Sequence, residues 1–222
     1  MSPSPRETPG PTSVARLADT LRAQILHGEL APGTPVREED IASMSGLSRH
    51  TVRSALRLLA AERLVTVEPY RGARVAQFDT DGLVALQQLR AALECEAVRL
   101  VRARHGTTWP PDVVHQILEA LDRLERAAAT DPDDWPEVAR AHAEVHSEIV
   151  AAARSPRLTE TYRSLHTEML LVLVHLRPRY RAEALVAEHR GYLRLIQSVG
   201  EDAVRAHVDH ATALILGALA AD

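Results

Sequence analysis

The sequence predicts a mainly α protein in two parts. A winged helix-turn-helix is expected over residues 12–78 and an antiparallel bundle of about six helices over 79–222. Three observations carry this. Residues 34–76 read as helix, tight turn, helix and two short strands. Beyond Asp81 the apolar residues keep helical spacing and no strand pattern appears. Hydrophobic residues make up 45% of the 222-residue chain but aromatics only 3%, so the core must be built from Ala- and Leu-rich helices.

The elements follow in order. Residues 1–11, rich in Pro and Ser, read as a disordered tail. A helix is expected from Ser13 to His27, with Val14, Leu17, Ala18, Leu21 and Ile25 on one face and Gly28 as its stop. Leu30 to Gly33 form a turn. A short helix opens on Glu38, Glu39 and Asp40, acids that suit a positive helix N-terminus, and places Ile41, Ala42 and Met44 on an apolar face. Gly46 supplies the turn, and Ser48 is a good N-cap for the next helix. There Val52, Ala55, Leu56, Leu58 and Leu59 form the expected buried stripe. Val65, Val67 and then Arg74–Ala76 read as a two-stranded wing around Tyr70, Arg71 and Gly72. The later helices are expected at 81–104, 111–128, 136–153, 156–176, 181–199 and 202–220, broken at Gly106 with Pro110-Pro111, Pro132, Pro156, Pro178 and Gly200.

The exposed face of the second helix begins Ser48, Arg49, His50, Thr51 and Arg53. Guanidinium forks bind guanine edges or phosphates, and hydroxyls bind phosphate oxygens, so this is the equipment of a recognition helix in a major groove. An ordinary Arg-rich solvated face would look the same; the wing that follows separates the two readings. Charge is divided accordingly. Residues 1–78 hold 10 Arg and 8 acids, net +2, and residues 79–222 hold 16 Arg and 22 acids, net -6.

The run from Gly46 to Leu56, with Leu59, Leu64-Val65 and Arg71 to Val75, resembles the GntR family of bacterial transcription regulators. That resemblance implies DNA contacts by Ser48, Arg49, Thr51 and Arg53, and by a wing around Arg71 and Gly72 that reaches the minor groove. Three positions depart from the family pattern. Glu39 stands where many relatives carry an Arg, His50 where a small residue is commoner, and Arg63 where a Gly is usual.

Nine of the eleven His lie within residues 105–210. His142 and His146, four apart, share one helix face. His189 precedes Gly200 by 11 residues, His210 follows it by 10 and His207 by 7, so a hairpin would bring these helices together. Four such His suit a borderline divalent ion. Scattered polar His are the plainer reading, because H-x-x-x-H alone is weak. Arg90 to Glu94, Val145 to Ile149, Ser155 to Leu158, Glu188 to Arg190 and Ala203 to His210 resemble the FadR-type C-terminal (FCD) domain of GntR regulators. That resemblance implies a metal held by an Asp and three His, with a small carboxylate effector beside it. His142 stands where the family has Asp. His146 and His189 match two of its His, and the last ligand is His210 by hairpin height or His207 by local sequence. A neutral four-nitrogen set suits Zn²⁺, or Ni²⁺, better than Mg²⁺ or Ca²⁺. The resemblance puts Arg90 at the effector; read alone, Arg90 and Glu94 are an i, i+4 surface pair. Trp109, Trp135 and Tyr162 read as packing, and His105, His115, His166 and His175 as packing or surface.

The expected protein is therefore not an enzyme but a DNA-binding regulator, a repressor, acting as a homodimer on an inverted-repeat operator. A di-iron enzyme would need Glu-x-x-His on two helices, and the chain has none. One Cys, at 95, fits a reducing compartment, and no apolar run reaches 18 residues, so a cytoplasmic protein with no membrane partner is expected.

Overall fold

The computed structural model describes residues 12–68, 72–174 and 181–219. The expected disordered tail, the wing-tip residue Arg71 and His175 lie outside them. The chain forms two compact units, Met1–Gln77 and Phe78–Asp222.

In the first unit, α1 (Ser13–Leu26) is capped by Thr12, whose Oγ1 accepts from Ala15 N, and buries Leu17, Ala18, Leu21 and Ile25. The Arg22 guanidinium forks onto Glu62 at 2.6 and 2.7 Å and so ties α1 to the chain just after Ala61. Helix α2 (Glu38–Ser45) is stopped by Gly46 at φ +68°, which a side chain would strain. The expected apolar face of α2 is only partly used: Ile41 and Ala42 are half-buried, but Met44 is 87% exposed. Helix α3 (Arg49–Ala61) starts as expected at Ser48, whose Oγ accepts from Thr51 N at 3.1 Å. Val52, Ala55, Leu56 and Leu59 are buried; Leu58 is 44% exposed and leaves the predicted stripe, because it lies about 100° round the helix from Leu59.

Strands β2 (Val65–Glu68) and β3 (Gly72–Val75) pair antiparallel, with Val65 opposite Val75 and Glu68 opposite Gly72. A two-residue strand β1 (Pro35–Val36), not expected from the sequence, joins the other edge of β3, giving the order β1-β3-β2. Two residues are too few for an alternating pattern to register.

Arg63 sits at φ +58°, in the left-handed region. A side chain there is strained by roughly 1–2 kcal/mol, partly offset by the greater unfolded-state freedom of a glycine. Arg63→Gly is expected to raise stability by about 1 kcal/mol in urea unfolding; a lower midpoint would contradict the strain assignment.

The second unit is helical throughout its described residues: α4 (Thr80–His105), α5 (Pro111–Thr130), α6 (Trp135–Ala151), α7 (Pro156–Ser164), α8 (His166–Val174), α9 (Ala182–Ser198) and α10 (Glu201–Leu219). The single helix expected over 156–176 is two, because the chain turns at Leu165, whose N donates to Tyr162 O. Residues 169–173 of α8 are all buried, so its apolar run is enclosed rather than amphipathic. Helix α6 is the central element. It packs on α4, α5, α7, α8 and α9 and buries ten side chains, including His142 and His146. Ile117, Leu121, Leu124, Val138, Val145, Ile149, Ile196 and Val204 are part of the surrounding core.

Candidate metal and effector site, and the DNA-facing helix

On α3, Ser48, Arg49, His50 and Arg53 are exposed and Thr51 half-buried. The two arginines are not bare. Arg53 forks onto Glu38 through Nε and Nη2 at 2.9 and 2.8 Å, and Arg49 Nη2 lies 3.0 Å from Glu39. The charge departure at Glu39 therefore has a structural place: it supplies the counter-charge of Arg49, the first residue of α3. Thr51 and Ser48 share their hydroxyls at 2.9 Å. At the wing, Gly72 is exposed at φ +83°, where only a residue without Cβ is unstrained.

In the helical unit, α6 and α9 bring three His together in the interior. His142 Nε2 lies 2.8 Å from His189 Nε2 and 3.3 Å from His146 Nε2, and the last two are 3.1 Å apart. All three are buried. Burial drives each ring towards the neutral form, with neighbouring His adding to the effect at His142 and His189. At His146 burial outweighs the pull of Glu94 and brings the ring down to about 4.

The outer ring nitrogens fix the tautomers. His189 Nδ1 donates to Leu185 O at 2.7 Å, because a carbonyl only accepts. His146 Nδ1 donates to the Glu94 carboxylate at 3.2 Å. Both therefore turn Nε2 lone pairs towards one another, that of His146 shared with Arg90 Nη2 at 2.9 Å. Metal–nitrogen bonds of about 2.0–2.1 Å set neighbouring ligand nitrogens about 2.8–3.4 Å apart, which the trio matches. Three neutral nitrogen donors, two with second partners that orient them, fit a borderline divalent ion. His142 Nδ1 is the exception, buried without a partner.

His207 stands beside the trio. Its ring is 4.9 Å from His189 and 5.3 Å from His146, stacked on Tyr192 at 4.1 Å, with Nδ1 3.3 Å from Glu188. His210 is exposed and does not join the cluster. Matching height along the hairpin left out angle: Val204 and Val208 point inward, and His210 lies about 200° round the helix from Val208. The alternate, His207, is the residue brought to the site.

Arg90 is neither a surface pair nor a free clamp. It is 2% exposed, with Nε donating to Glu94 at 2.8 Å and Nη2 reaching His146 Nε2 at 2.9 Å. Glu94 collects donors from Arg90, His146, Tyr162 OH at 2.7 Å and Tyr192 OH at 3.0 Å. Burial alone would raise its carboxyl; His146 and Arg90 overcome that and hold it well below the usual range. With the ring of His146 neutral at pH 7, Arg90 is the cation that keeps Glu94 ionised.

Sequence reading did not single out Tyr192 or Gln87, gave Glu94 only as the partner of Arg90, and set Tyr162 aside as packing. The signal was present for two of them: Tyr192 is three residues after His189 and Gln87 three before Arg90, each on the same helix face. Two small cavities flank His142. One of about 10 Å³ is lined by Arg90, His146, Tyr162 and His166, among others, and one of about 20 Å³ by Gln87, Arg90, His189 and His207 with apolar walls. Each has room for about one water. Met169 and Leu173 of α8 line both.

A neutral buried trio also fixes a pH response. The unfolded chain binds protons that the folded site refuses, so stability is full above about pH 6.5 and falls as pH drops towards 4. For His146 alone the shift to about 4 amounts to about 3 kcal/mol. Melting of chelator-treated protein is expected to fall over that window; a melting temperature flat between pH 7 and 4 would contradict neutral burial.

The helical unit encloses a polar His cluster that a divalent ion would fit, and the first unit, with a basic exposed helix followed by a wing, has the form of a DNA-binding module. The comparisons agree. Residues 13–75 match the bacterial regulatory proteins of the gntR family and residues 85–213 match the FCD domain. The chain belongs to the GntR family of bacterial regulatory proteins, in the branch carrying an FCD domain. It is 32% identical to the HTH-type transcriptional regulator BphR of Paraburkholderia xenovorans, over 71% of this chain and 66% of that protein. It is 33% identical to the HTH-type transcriptional repressor GlaR of Escherichia coli, over 63% of each. The chain thus spans just under two thirds of these two relatives. A GntR transcriptional regulator from Rhodococcus sp. RHA1 superposes with a TM-score of 0.71 at 27% identity, over 92% of this chain and 97% of the other. No described helix is long and apolar enough to cross a membrane.

Proposed function

We propose that this chain is an effector-responsive repressor. As a homodimer it binds an inverted-repeat operator through Ser48, Arg49, His50, Thr51 and Arg53, with Arg71 and Gly72 at the wing. Its helical part binds a small carboxylate beside a divalent metal, Zn²⁺ by preference with Ni²⁺ as the alternative, held by His142, His146, His189 and His207. The observation that carries the sensing half is the three-Nε2 convergence directly against the buried Arg90. The metal would supply Lewis acidity and a positive charge for the ligand carboxylate. Arg90 supplies a fork of which Nε is held by Glu94, leaving Nη2 as the arm that can turn from His146 to a carboxylate. GlaR, by its name a repressor, supports the sign of regulation.

Because each cavity holds about one water, ligand binding has to displace side chains that wall the cavities, Met169 and Leu173 of α8 among them, and a ligand that favours the opened form shifts the population towards it. Half-site spacing is fixed by DNA, so any resulting change in separation of two recognition helices changes affinity.

One observation favours a second reading, a metal-free pocket. Arg90 Nη2 occupies the His146 lone pair that a metal would need, and a proton on His142 Nε2 would satisfy the facing His189 lone pair. An operator titration at fixed salt, with and without C2–C6 carboxylates, tests the proposal in zinc-loaded and chelated protein. A carboxylate-dependent shift of tenfold or more in the loaded protein is expected. The same shift after chelation would favour the second reading, and no shift in either would remove the sensor.

A further inference from the structure

We propose that the Gln87 carboxamide is the group that reads a hydroxyl on the ligand bound at the His cluster, an inference resting on the carboxylate reading above. Gln87 lies on α4 one turn before Arg90 and is 2% exposed. Both of its amide atoms, Oε1 and Nε2, are buried without a hydrogen-bond partner. Buried amides are as a rule paired, since an unmet donor or acceptor is costly to bury. Gln87 lines the cavity of about 20 Å³ together with Arg90, His189 and His207, facing Ala211 and Ile215 of α10. It also lines a much larger groove of about 860 Å³ between α4 and α10, open to solvent. The side chain therefore forms part of the wall between the groove and the buried cluster, where a ligand entering from the groove meets it.

The chemistry of the carboxamide sets what it can recognise. It offers one acceptor and one donor close together, and a hydroxyl answers both by donating to Oε1 and accepting from Nε2. A bare carboxylate answers only Nε2 and leaves Oε1 opposed by its own negative charge. With Arg90 taking the carboxylate, Gln87 is placed for a hydroxyl elsewhere on the same small acid. A site built to pair with a hydroxyl rejects the analogue lacking it, because the buried amide is then left unmet.

The test is calorimetric titration of the zinc-loaded full chain with butyrate and with 2-, 3- and 4-hydroxybutyrate. One hydroxy isomer is expected to bind at least tenfold more tightly than butyrate. Gln87→Leu is expected to abolish that preference while holding butyrate within about threefold of wild type, and to melt no lower than wild type, because it removes two unmet polar atoms. Gln87→Met repeats the test with an unbranched side chain should the Leu variant fold poorly. Equal binding of all four acids by wild type, a preference that survives both substitutions, or a melting temperature several degrees lower in both would overturn the role of Gln87 and leave the carboxylate reading standing. Binding of none of the four acids would overturn both.

Discussion

Arg49→Ala is expected to weaken operator binding by about a hundredfold or more at fixed salt, with the helical fold unchanged. Arg49 is the first residue of α3, and its side chain is 65% exposed. Its partner Glu39 is equally exposed, so the pair contributes little to stability and exchanges readily for DNA. In a homodimer the substitution removes two guanidinium groups. A bidentate contact to a base edge contributes about 1–3 kcal/mol of discrimination, so the pair corresponds to roughly thirtyfold to twenty-thousandfold. Packing of α3 rests on Val52, Ala55, Leu56 and Leu59, which the substitution does not touch. Arg53→Ala acts in the same direction, but Arg53 must first leave its fork on Glu38. Fluorescence anisotropy across a salt series separates the roles: a lost phosphate contact lowers the salt slope by about 1, a lost base contact relaxes sequence preference. Unchanged affinity for Arg49→Ala would remove α3 from the groove.

His146→Ala is expected to abolish the stabilisation that wild type gains from divalent metal. A ligand at a thousand times its dissociation constant stabilises the folded state by about 4 kcal/mol, a shift of several degrees or more in melting temperature. His146 contributes one of the three converging nitrogens, and its Nδ1 is tied to Glu94. Removing it leaves two of the three converging nitrogens with His207 beside them, a set that no longer encloses the ion. Glu94 keeps Arg90, Tyr162 and Tyr192, so the metal-free variant should still fold. Scanning calorimetry with and without Zn²⁺ checks this. A variant that gains as much from zinc as wild type would place the metal elsewhere.

The N-terminal part was legible almost to the residue, because caps and turns are written locally. Ser48 and Gly46 announce the start and stop that the structure shows. Leu58 and Met44 misled because apolar type reports burial only on average. In the helical unit His142 and His146 show in their spacing, which a helix converts directly into a shared face, while His189, on another helix, is reached through hairpin height and the resemblance to the FCD domain. The choice between His207 and His210 needed the angular phase of α10, which hairpin height does not contain. Tyr162, Tyr192, Glu94 and Gln87 come from three separate helices and meet only through tertiary packing. The break at Leu165 was hidden because residues 156–174 contain no glycine and no interior proline.

The central claim is that the His cluster holds a divalent ion, and the direct measurement is metal content. Full-length protein purified without chelator or affinity tag, analysed by mass spectrometry beside His146→Ala, is predicted to carry about one zinc or nickel per chain, with less than a tenth of that in the variant. Wild-type protein without metal, even after incubation with Zn²⁺, would contradict the account and leave Arg90 with the neutral His trio as a metal-free pocket.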